Sequence, residues 1–180
     1  MNENILALNV FITLLKDFDY EKIKAIYENN LWQNWFLDTN NKALEILNNY
    51  KINYEDLASD YTSLFISDVY YVKAPQSSSF YLDDKKQIYS DFTEEVKKIY
   101  FDNNFYAFYD NLFADNLLNE LLFIKFLLEK NNKTALNDFL NNHFFKWFFV
   151  WAKDFENGAK TNFYKGLAML IQEYFKNFRI

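Results

Sequence analysis

Four polar side chains stand just ahead of the greasiest run in the chain: Asp115, Asn116, Asn119 and Glu120 precede Leu121-Leu122-Phe123-Ile124-Lys125-Phe126-Leu127-Leu128. At 100° per residue they cover about 140° of one helix face. Carboxylates so placed could receive guanidinium or ammonium groups from a partner, forming a polar rim on an apolar groove. The same residue types also belong at a helix start, where they satisfy free N–H groups and complement the dipole. The pattern leaves both readings open. Other chemistry has little to work with. His143 is the one histidine, and its neighbours Asn142 and Phe144 suit a packed or hydrogen-bonded imidazole. With no cysteine, thiolate zinc, dithiol redox, iron–sulfur and poly-histidine sites are excluded, so no metal is expected. The two glycines, Gly158 and Gly166, cannot write a phosphate loop. No serine or threonine lies in a nucleophile motif. The residues thus point to binding without catalysis or cofactor. The alternative is a small helical nucleotide-binding protein or enzyme using the central-helix carboxylates.

The elements that must position these groups are helical. Only two glycines and one proline occur in 180 residues, where average usage would give roughly twenty. Hairpins, sandwiches and doubly wound sheets consume both residues at their turns. We therefore expect a single-domain all-α helical bundle over residues 1–180. Apolar residues recur at helical spacing: Ile5, Leu8, Ile12, Leu15, then Ile23, Tyr27, Leu31, Trp35 behind an Asp19 cap. A third helix covers about 41–49, and Asn53 with Asp56 opens a fourth, with Leu57, Tyr61, Leu64 and Phe65 inward. From about 67 to 90 the period breaks around Pro75 and Ser77-Ser78-Ser79, which predicts one long irregular loop that packs down. Helices resume near Asp91. Asp110 is expected to cap the central helix, which runs to about Lys130, and Asp115 to be reachable there by solvent. Glu120 is expected to be partly buried, held by a neighbouring segment. A further helix passes His143, Trp147 and Trp151 to a stop at Gly158, and Thr161 caps the last. The two tryptophans, four apart, read as core. No internal repeat or domain boundary appears.

A net charge of −6 argues against nucleic acid and suits a cationic peptide, although it also simply keeps a small domain dispersed. Aromatic residues make up 22% of the chain, either as a compositional habit or as the lining of a groove. The longest uncharged stretch, Asn4 to Leu15, is twelve residues, too short to span a membrane. It also lacks the basic flank of an export signal. Together with the missing cysteines, this gives a cytoplasmic expectation.

Three segments resemble the TorD/DmsD family, the cytoplasmic chaperones of molybdenum-containing oxidoreductases, in that family's order. The first is Tyr61-Thr62-Ser63-Leu64-Phe65 with Ala74-Pro75 and Ser79-Phe80-Tyr81. The second runs from Phe113 to Leu121, similar to an E-P-D-H-x-x-x-E-L signature. Asp115 and Glu120-Leu121 are kept there, while Phe113, Ala114 and Asn116 replace the Glu, Pro and His. The third joins His143 and Trp147 to Phe163-Tyr164. The resemblance implies a helical chaperone that binds the twin-arginine leader of a client enzyme until its molybdopterin cofactor is inserted. By motif position it puts leader contacts at Tyr61, Leu64, Phe65, Pro75, Gln76, Asp115, Asn116 and Glu120. The client would be a formate dehydrogenase or an N- or S-oxide reductase, and the chaperone a monomer or dimer.

Overall fold

The structure, a computed structural model, describes residues 3–29, 41–49, 51–67, 72–106 and 108–179. Every regular element among them is a helix. In chain order these are α1 (Glu3–Lys16), α2 (Tyr20–Glu28), α3 (Asn41–Asn48), α4 (Tyr54–Tyr61), α5 (Ser78–Leu82), α6 (Asp91–Asp102), α7 (Leu117–Glu129), α8 (Lys133–Phe139), α9 (Phe145–Gly158) and α10 (Asn162–Lys176). A π-helical turn at Thr62–Ile66 continues α4, and another at Leu140–Phe144 joins α8 to α9. Leu31 and Trp35, expected on the second stripe, lie outside the described residues, as does 68–71 of the loop.

The chain packs into two compact units. The first contains residues 1–16 and 75–151; the second contains 17–74 and 152–179. Neither is continuous in sequence, which is why no linker or composition shift marks them. In the first unit α7 is central and buries Leu117, Leu118, Leu121, Phe123, Ile124 and Leu127. It packs against α1, which buries Leu8, Phe11 and Leu15, and against α8. Tyr100, Phe105 and Phe123 cluster beside it with ring centroids 4.8–5.3 Å apart. In the second unit α10 packs on α3 and α4. Phe155 and Tyr164 are fully buried there, beside Tyr61 and Phe65. Part of the aromatic surplus thus fills two cores, where each large ring removes much apolar area from water.

Local signals explain most starts. Asp19, Asn53 and Thr161 each accept from the backbone N–H three residues on, as expected of caps. Two expectations need correction. Asp110 caps nothing: the central helix begins at Leu117, and its cap is Asn116, whose side chain accepts from the Leu118 N–H at 3.0 Å. The 67–90 stretch packs down as expected but is not irregular throughout, since α5 forms within it. Its Ser78 and Ser79 are fully buried.

Candidate functional site

In the first unit the polar residues at the start of α7 organise two separate networks. Asp115 is fully buried. One of its oxygens accepts from Ser77 Oγ at 2.9 Å, Ser79 N at 2.9 Å and, at 3.5 Å, Ser78 Oγ. Backbone bonds lock the same strip: Ser78 N donates to Asp115 O and Leu117 N to Gln76 O, each at 3.0 Å. Ser77 and Asn116 form an isolated antiparallel bridge. From Ser79 a hydroxyl chain continues to Thr93 (3.0 Å) and Ser90 (2.9 Å), the capping pair of α6. Asp115 is therefore the anchor that turns a serine-rich loop into packed structure: its Oδ2 gathers donors from that loop, while its Oδ1, equally buried, meets none among the described residues. The expectation that Asp115 faces solvent is overturned: the Ser77–Ser79 segment covers it.

Glu120, fully buried one turn along α7, faces the other way, into the α8–α9 junction. His143 Nε2 lies 2.8 Å from its Oε1, and Trp147 Nε1 donates to its Oε2 at 3.1 Å. Burial pushes the Glu120 carboxyl above its usual range, and the neighbouring imidazole pulls part of that back. Burial opposes charge on His143, yet Glu120 beside it, with Asp115 further off, holds the imidazole above its ordinary value. The π-helical turn at Leu140–Phe144 brings His143 under Glu120, with Trp147 one turn on in α9. Asn119, also fully buried, clamps the preceding turn: it donates to Tyr109 O and Phe113 O and accepts from Tyr109 N at 2.7 Å. Three of the four residues read as a possible rim are thus internal. Asn116 alone is half-exposed, and Gln76 beside it is too. Gln76 Nε2 also donates to Leu15 O at 3.2 Å. Pro75 is buried.

The remaining expected residues lie in the second unit. Tyr61 and Leu64 are buried and Phe65 is half-buried. Tyr61 and Phe65 pack edge-on at 5.3 Å, and Phe65 meets Phe155 at 5.1 Å. Burial, with the Asp17 charge second, pushes the Tyr61 phenol up to about 12, so it stays protonated. Residue-pattern reasoning missed Asp60, a buried anchor of this unit. Its buried carboxylate accepts from Lys160 N, from Thr161 N at 2.7 Å and from Thr161 Oγ1 at 2.7 Å, tying α4 to the start of α10. The one hint was its place on the inward face beside Leu57 and Tyr61. A polar cavity of about 370 Å³ adjoins it, lined by Asp56, Ser59, Lys160 and Asn162. Among the described residues no group of three or more His, Cys, Asp or Glu is placed to hold a metal ion. No described helix is long and apolar enough to cross a membrane.

A family model described as nitrate reductase delta subunit matches residues 38–153. A search of curated proteins finds no match. Among solved structures, the chain is similar to a crystal structure from Archaeoglobus fulgidus described as a candidate redox enzyme maturation protein. The TM-score is 0.66 at 22% identity, covering 98% of this chain and 95% of that one. The likeness shows that the two share a fold.

Proposed function

This chain belongs to the nitrate reductase delta subunit family, whose members are maturation chaperones rather than enzymes, and on that premise we propose that it binds the twin-arginine leader of a molybdenum-cofactor oxidoreductase in the cytoplasm. Binding would hold the client back from export until its cofactor is inserted. The observation that carries this reading is the family match over 38–153, which spans both the Tyr61–Phe65 and the Asp115–Glu120 segments. The physics of the ligand agrees. A leader with two arginines followed by an apolar stretch is complementary to a protein of net charge −6 with apolar rings at its surface. Of the eight residues assigned by motif, Phe65, Gln76 and Asn116 keep exposed surface for direct contact. In the first unit Pro75, Asp115 and Glu120 would act from within, behind Gln76 and Asn116; in the second, Tyr61 and Leu64 would do so behind Phe65. The enzyme alternative loses its basis, because both central-helix carboxylates are fully buried and engaged.

Calorimetric titration with synthetic leaders tests the reading. We expect saturable binding of a twin-arginine leader and clearly weaker binding when both arginines become glutamine. No binding of any leader from the same genome at low salt overturns it.

A further inference from the structure

The first unit carries an exposed aromatic pair where this chain departs from its family's signature. Phe113 stands in the signature's Glu position and is 47% exposed. Its ring lies 5.2 Å from that of Tyr89, itself 48% exposed, and Ile88 next in the chain is 43% exposed. Three large apolar residues thus stand in water along one stretch of surface. Carboxylates border them. Tyr89 donates its hydroxyl to Glu94 at 2.8 Å, and Glu94 and Asp91 both raise the Tyr89 phenol's affinity for its proton. Lys97 and Lys98 follow on α6, yet among the described residues neither carboxylate forms an ion pair with a lysine. The patch is continuous with the half-exposed edge of the proposed site. Ser77 Oγ lies 3.2 Å from Ile88 O, and the Ser77 backbone bridges Asn116, whose own N–H donates to Phe113 O at 3.0 Å.

We propose that Ile88, Tyr89 and Phe113 form the docking surface for the apolar stretch of the leader, with Asp91 and Glu94 receiving its arginines. Charge complementarity selects this occupant: carboxylates without an ion-pair partner among the described residues, beside exposed rings, suit a segment that is cationic at one end and apolar at the other. The inference rests on the leader-binding reading and adds a location that buried Asp115 and Glu120 cannot supply.

The test is fluorescence anisotropy of a labelled twin-arginine leader with the full chain at low salt. Phe113→Ser should weaken binding at least ten-fold. Glu94→Gln should weaken it several-fold for the arginine leader and leave a leader with glutamines in their place unchanged. Tyr106→Ser is the control, since Phe101 and Tyr106 form a second exposed pair (44% and 63%) at the far end of α6 and should not matter. Leader binding that survives Phe113→Ser and Glu94→Gln overturns this surface and leaves the function standing. Equal losses in Tyr106→Ser overturn it as non-specific adhesion. A Phe113→Ser variant that only converts a dimer to a monomer makes the patch a self-interface and overturns it as well. No leader binding to the wild type overturns both proposals together.

Discussion

At the residue scale the two acidic side chains of α7 answer to different neighbours, and each makes a measurable prediction. Asp115→Asn replaces charge-assisted bonds from the Ser77–Ser79 segment with weaker neutral ones. We expect a loss of about 1–3 kcal/mol in urea unfolding. Glu120→Gln leaves His143 and Trp147 without their acceptor charge in a sealed site and should cost about 3 kcal/mol. A Glu120→Gln variant of unchanged stability but reduced leader affinity would mean that Glu120 faces the ligand. The Glu120–His143 pair also sets a pH dependence. Since the folded state raises the His143 value above its ordinary 6.5, folding takes up a proton. Its stabilisation is complete below 6.5 and is lost as pH rises through the higher folded value. Wild-type stability should therefore fall on the alkaline side of 6.5, by at most about 1.4 kcal/mol per pH unit. The Glu120→Gln/His143→Gln double variant, with neither group left to titrate, should stay flat between pH 6 and 9. Parallel profiles for the two proteins would refute the linkage.

At the element scale the chain's shortage of glycine is resolved by asparagine. After α6, Asn104 takes φ 56°, with Phe105 N bonding Tyr100 O and Asn104 N bonding Phe101 O. After α7, Asn131 repeats this at φ 53°, with Asn132 N on Leu127 O and Asn131 N on Leu128 O. Both are left-handed stops of the kind glycine usually makes, and asparagine tolerates the conformation. Gly158 does end α9 as expected, but without positive φ. Space is what requires a glycine there, since an added Cβ would sit 2.7 Å from Lys73 Cβ. Gly166 lies mid-helix in α10 for the same reason: its Cβ would come within 2.6 Å of Leu47 Cγ on α3. Helix propensity favours alanine by about 1 kcal/mol. Overpacking works against it by about 1–3 kcal/mol. We expect Gly166→Ala to lower stability by up to about 2 kcal/mol, whereas a higher melting temperature would mean that α3 yields freely.

At the scale of the whole molecule, net charge and exposed carboxylates should make the proposed leader binding salt-sensitive. Two exposed guanidinium–carboxylate pairs at about 0.5 kcal/mol each are worth roughly five-fold in affinity. Raising salt from 0.05 to 0.5 M shortens the screening length to a few ångströms, so the dissociation constant should rise about five-fold. Affinity that ignores salt would place the arginines in a sealed pocket instead.

Composition and local pattern determined the helical class, the caps at Asp19, Asn53 and Thr161, and the internal role of His143, Trp147 and Trp151. These follow from interactions within a few residues or from apolar periodicity, both of which a single chain displays. The burial of Asp115 was not legible, because the serines that cover it come from 36 to 38 positions away. Nor was the role of Asp60, whose partners lie 100 and 101 residues on. An acidic side chain at a helix start reads alike whether water or a distant loop completes it. Only tertiary structure decides, because the cost of burying a carboxylate is offset by donors that the chain must fold to deliver.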